Sequence, residues 1–249
     1  MISGQLPAID ARQVEPDSPP RWSASLDVKI ESHRTRVGRE KRARTRASIL
    51  AAAFELFDAR GVERVTVDDV RDAAGLARGS FYNYFSTFED MLKAMASAIA
   101  DELNREQSYL FDGLDDPAER ICRNIQYSIA RLTPDRSCSG VVVRVMPLVG
   151  ALTPHMRAHA ETALAAAIAK GFIDVPTAAP AMDLGLGLVV MLLRRAMTEG
   201  LADDDIAASG LILLRAFGVP DARARAIAYN PLPSPPATPL RDAIIWSQA

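Results

Sequence analysis

Cysteine and histidine are scarce in this 249-residue chain, with two of the first and three of the second. Cys122 and Cys138 show no metal-ligand spacing, and two distant thiols do not make a disulfide framework. Neither has a supporting turn, third group or oxyanion device that would pair it with His155 as a nucleophile. His155 and His159 stand four apart, but no Glu sits between them in the catalytic pattern and no third ligand is evident. No metal, cofactor or enzymatic activity is therefore expected. Long apolar runs are also missing. The most apolar stretch, LGLGLVVMLL at 184–193, is far shorter than the roughly 20 residues a membrane span needs. Residues 1–28 lack a continuous apolar run of the secretory type, so a reduced, cytoplasmic protein is expected.

What is present is ordinary for a globular chain, 49% apolar and 24% charged, and long enough for one or two domains. Its richness in Ala, Leu and Arg, with few strand signals, argues for an all-α fold. The net charge of −2 is unevenly spread. Between Lys29 and Arg46 eight Lys or Arg face two Glu, a balance of +6 that leaves −8 for the rest. Such asymmetry points to a basic arm on an acidic protein.

The most informative stretch is TVDDVRDAAGLARGSFYNYF at 66–85. Thr66 with Asp69 three residues on resembles a capping box and predicts a helix start. Val67, Val70 and Ala74 give that helix a narrow apolar face, and Gly75 ends it. A second helix is expected from about Arg78 to Phe85. At about 100° per residue, Phe81 and Phe85 share its core side, Asn83 lies nearly opposite with Gly79 and Ser80 close by, and Tyr82 and Tyr84 flank. A solvated face normally carries Glu and Lys, whereas this one has no acid at all. Its composition suits contact with a polyanion.

At these residues the chain resembles the tetracycline-repressor (TetR) family of bacterial transcription regulators. The matching pieces are TRASILAAAFELFDARG at 45–61, VTVDDVRDAAG at 65–75, RGSFYNYF at 78–85 and FEDML at 88–92. The resemblance implies a three-helix helix-turn-helix head followed by a larger helical domain for effector binding and dimerisation. It implies DNA contacts at Thr66, Arg78, Gly79, Ser80, Tyr82, Asn83 and Tyr84, to which the basic run adds Arg42, Arg44 and Arg46. Two positions depart from the family pattern. Ala77 stands where a Ser or Thr cap is common, and Phe88 where a phosphate-holding Lys is common.

Four segments are expected. Residues 1–38, with scattered prolines, form a disordered extension with a basic end; 39–102 form the DNA-binding head; 103–230 the helical effector and dimerisation domain; 231–249 a Pro-rich tail. The first helix is placed at about 45–60, and the helix after the recognition helix is begun by Ser86. Further helices follow from Pro117 to Leu132, over 141–149 (which alone would pass for a strand), and from Pro154 toward Gly171. Helices at about 178–199 and 203–217 are apolar over more than one face, too much for one edge of a monomer. By resemblance, that pair forms a four-helix bundle with its copy. The tail holds five prolines within 231–239, a stiff linker, and then Ile244, Ile245 and Trp246, whose docking stays open.

The expected function is sequence-specific DNA binding, as a homodimer repressor released from a palindromic operator by a small effector. The alternatives are an activator or partner-sensing regulator of the same fold, and a helical dimer or enzyme with a vestigial head. The effector is not legible. Ile125, Ile129, Met146 and Met191 are apolar at core spacing, and core is the simpler reading for each.

Overall fold

The computed structural model describes residues 33–77, 79–149, 154–202 and 204–248, without the side chains of 33–36, 147–149, 154–156, 159 and 246–248. Arg78, His155, His159 and Trp246, singled out above, and nearly all of the N-terminal extension therefore lie outside what is described. The described elements are α1 (His33–Arg60), a 3-10 turn (Val62–Arg64), α2 (Val67–Ala73), a second 3-10 turn (Phe81–Asn83), α3 (Phe88–Phe111), α4 (Pro117–Leu132), α5 (Arg136–Val149), α6 (Pro154–Ala169), α7 (Ala178–Thr198), α8 (Asp205–Ala216), α9 (Asp221–Ala228) and α10 (Leu240–Gln248). The fold is all-α among the described residues. None of the described helices is long and apolar enough to cross a membrane. Residues 39–249 make one compact unit; of residues 1–38 only the start of α1 is described.

The head is built by α1, α2, the second 3-10 turn and the start of α3 around Ile49, Leu50, Phe54, Phe57, Val70, Phe81, Met91 and Met95, each at most 1% exposed. Fully burying side chains of this size stabilises by about 1.5–3 kcal/mol each. Helix α1 begins earlier than the apolar stripe suggests, because the basic run preceding it holds no proline to stop a helix. Helix α2 starts as expected. The Thr66 hydroxyl accepts from the Asp69 amide at 3.3 Å, and the Asp69 carboxylate accepts from the Thr66 amide at 2.8 Å. Hydrogen bonds from Thr66 hold the Asp69 carboxyl below the usual carboxylate range. The cap of α3 is Thr87 rather than Ser86: its hydroxyl accepts from the Asp90 amide at 3.0 Å.

In the body α4 packs against α3, α5, α6, α7, α8 and α9. A helix surrounded in this way buries polar residues as well as apolar ones, so Arg123, Gln126, Tyr127 and Arg131 lie inside beside Cys122 and Ile129. Their partners are specific. Arg131 forms an ion pair with Glu106 of α3 at 3.0 Å, and the Tyr127 hydroxyl donates to the same carboxylate at 2.8 Å. The Gln126 amide donates to the carbonyl of Ala228 at 2.9 Å. Where α8 crosses α4, a Cβ on Gly210 would lie 2.4 Å from Nε2 of Gln126 and 2.8 Å from Sγ of Cys122, so only glycine permits the approach.

The tail is fastened to this body. Arg123 donates to the carbonyls of Asn230 (3.2 Å) and Pro231 (2.9 Å), and Arg131 donates to that of Thr238 (2.9 Å). Helix α10 then packs on α3 and α5, with Leu240 and Ile244 fully buried. Arg241 reaches Asp58 of α1 at 3.1 Å, and Arg144 of α5 reaches Glu63 at 3.3 Å. Head and body are thus joined by ion pairs and by a shared apolar cluster running from Ile49 to Ile244.

Candidate nucleic-acid interface

Leaving α2, the chain turns through Gly75, and the Leu76 amide donates back to the carbonyl of Arg71 at 3.0 Å. Gly79 then adopts φ 90°, outside the right-handed helical region. This is why the expected helix from Arg78 to Phe85 is not formed as such. The Ser80 amide closes a turn on Ala77 at 3.0 Å, and helical geometry begins only after it, as one 3-10 turn over Phe81–Asn83. The Tyr84 and Phe85 amides both donate to the carbonyl of Phe81, at 2.9 and 3.1 Å.

The shorter element keeps the expected division of faces. Phe81 and Phe85 point into the head core, 1% and 5% exposed, while Tyr82 is 60% exposed and Asn83 and Gly79 are open to solvent. Ser80 and Tyr84 are half-buried at the flanks. A Cβ on Gly79 would meet nothing within 4 Å, so the space beside that position is open. Thr66 is exposed as well, its side chain engaged in the α2 cap. The three acids of α2 are paired: Asp68 and Asp72 with Arg71, and Asp69 with Arg60 at 3.3 Å. Pairing offsets the negative charge of α2.

Of the three arginines singled out on α1, Arg42 and Arg44 are exposed and Arg46 is half-buried. Arg42 and Arg46, one turn apart, lean on the recognition turn. Arg42 donates to the carbonyl of Asn83 at 2.8 Å and lies 5.5 Å from the ring centre of Tyr84. Arg46 lies 5.3 Å from that of Phe85. Sequence reasoning treated both as arms toward DNA and missed these contacts. Their signal was an arginine pair at four-residue spacing upstream of an alternating aromatic run, which only tertiary structure interprets. Phe88 also acquires a role: its ring packs edge-on against Phe57 at 6.1 Å.

Burial pushes the Cys122 thiol up to about 12 and the Cys138 thiol well above its ordinary value, so both stay protonated. Among the described residues no group of three or more His, Cys, Asp or Glu could hold a metal ion.

The model of bacterial regulatory proteins of the tetR family matches residues 49–95, which span the end of α1, α2, the recognition turn and the start of α3. Over residues 49–95 the chain is similar to the tetR family. Among curated relatives, the transcriptional repressor KstR2 of Mycobacterium tuberculosis is 32% identical over 76 residues, 30% of this chain and 38% of that protein. KstR2 of Rhodococcus jostii is 35% identical over 74 residues, 29% of this chain and 36% of that one. The match thus spans under two-fifths of these relatives' own length. Among solved structures, RolR in complex with resorcinol aligns at a TM-score of 0.55 and 26% identity, over 79% of this chain and 98% of that one. Bacillus subtilis FadR in complex with stearoyl-CoA aligns at 0.52 and 18% identity, over 69% and 97%, a likeness of fold. The family matched is one of bacterial regulatory proteins, and the KstR2 relatives are transcriptional repressors.

Proposed function

We propose that the chain is a repressor that binds a pseudo-palindromic operator as a homodimer, one recognition turn per half-site, and leaves it when a small effector binds the body. The observation that carries this reading is the outward face of residues 79–84. It is acid-free, exposed at Gly79, Tyr82 and Asn83, and set beside Arg42 of α1. Ser80, Asn83 and Tyr84, with Arg78 before them, are proposed to read bases, whereas Thr66, Gly79 and Tyr82 approach the backbone and Arg44 reaches phosphate. The setting is cytoplasmic, where the two thiols stay reduced.

Pairing is assigned to α7 and α8. Met191 (62% exposed) and Leu184 (49%) lie on the outer side of α7, and Ile212 (63%) on that of α8. Met191 therefore belongs to the proposed pairing surface rather than to the core. A groove of about 370 Å³ runs past it, lined by Leu188, Leu192, Arg195 and Thr198. RolR, at 26% identity, was solved with resorcinol, which supports a small-molecule effector for this chain. The junctions Arg241–Asp58 and Arg144–Glu63 give the body a mechanical hold on the head. Coupling of this kind is reciprocal, so operator and effector weaken each other's binding by the same factor.

Selection of bound duplexes from a random pool by the purified chain tests the reading. A palindromic consensus with half-sites about one helical turn apart is expected, and recovery of no consensus would contradict it. Asn83→Ala should lower the affinity for the selected duplex by about 1–3 kcal/mol with the fold intact. An unchanged competition curve at fixed salt would remove Asn83 from the reading set.

A further inference from the structure

The recognition turn is too short to hold its own orientation. A single 3-10 turn makes few internal hydrogen bonds, and starting a helical turn is unfavourable without outside support. Support from below comes from Phe81 and Phe85, whose rings sit 5.7 Å apart in the head core. These anchor the inner side and leave the outer side to be set by something else. The Asn83 carbonyl, at the end of an element that does not continue, would otherwise have no partner within the turn.

Helix α1 supplies that partner. The Arg42 guanidinium donates through Nη2 to the Asn83 carbonyl at 2.8 Å while lying 5.5 Å from the centre of the Tyr84 ring. One side chain therefore fixes two successive residues proposed to read bases, one through its backbone and the other through its ring. A planar guanidinium suits both tasks, donating along its edge and facing a ring. A lysine ammonium keeps the charge but cannot present an edge and a face together.

We propose that Arg42 is a positioning residue for base reading: it splints the recognition turn through the Asn83 carbonyl and the Tyr84 ring, and so sets sequence preference rather than general attraction to DNA. The inference rests on the DNA-binding reading above. Arg44, exposed on α1 about 200° around the helix from Arg42, provides the comparison, since it acts as a phosphate contact.

The test uses the full chain, the duplex it selects, and a scrambled duplex of equal length and composition, each titrated at several salt concentrations. Arg42→Lys should lower the ratio of selected to scrambled affinity by about tenfold or more, with scrambled affinity and salt slope as in wild type. Arg42→Ala should lose the same ratio. In both variants amide exchange should quicken at 81–85 and stay unchanged in α2. Arg44→Ala should instead weaken both duplexes alike and reduce the salt slope by about 0.9. Wild-type behaviour of Arg42→Lys would overturn the proposal. So would weakening of both duplexes alike, with a smaller slope, in Arg42→Ala. A wild-type chain without preference for any duplex is recognised before any variant is made, and it removes the regulator reading and the splint together.

Discussion

Replacing Ile244 by Ala should lower the unfolding free energy of the whole chain by about 2–5 kcal/mol, although the residue lies five positions before the last one, Ala249. The expectation follows from its burial and company. Ile244 and Leu240 are fully buried, and they share one apolar cluster with Ile49, Phe57, Met95 and Leu193. Truncating the side chain leaves a cavity whose lining cannot fully collapse, and it does so where head and body meet. Chemical denaturation followed by circular dichroism checks this. Arg241→Ala is the contrast: its ion pair with Asp58 is partly exposed, 31% and 43%, and such pairs contribute at most about 1 kcal/mol. A tail that merely leaned on the surface would give losses near zero for Ile244 too.

The second large effect concerns the proposed pairing surface. Ile212→Glu should raise the dissociation constant of the dimer by about a hundredfold or more, because a carboxylate carried into an apolar interface without a partner costs several kcal/mol. Met191→Glu should act in the same direction. Both residues are more than 60% exposed, so neither change disturbs the packing of a single chain. Sedimentation should show the wild-type chain as a dimer and the variants as folded monomers with unchanged helical content. Operator affinity falls with them, since two heads held together bind as one unit. A dimer that survives both substitutions would place the interface elsewhere.

Local chemistry made much of this fold legible. The capping box of Thr66 and Asp69 needs only residues three apart, and both its hydrogen bonds are present. The stripes of α1 and α3 repeat at helical spacing and are buried as that spacing implies. Other features depended on signals that a sequence does not order. Ser86 with Glu89 and Thr87 with Asp90 offer equal caps one residue apart, and the second is used. Gly79 fits inside a helix or outside it, and its φ of 90° decides for the shorter turn. The regular isoleucines of α4 read as a one-sided helix, yet its polar side is buried too, because the partners of Arg123 and Arg131 come from about 107 residues away. Helices α9 and α10 are short, and the prolines before α10 read as a linker rather than as a strap. For the candidate site, the division of faces over 79–85 was visible in side-chain type alone. The contact of Arg42 with a backbone carbonyl was not, since every residue offers one.

The central claim is that the outward face of residues 79–84 enters a duplex groove. Amide hydrogen exchange of the full chain, with and without the duplex it selects, tests this most directly. Exchange should slow at residues 79–85 and along the exposed start of α1, and stay as it was over α4 and α9. Protection confined to the body, with the recognition turn exchanging as freely as in the unbound chain, would contradict it.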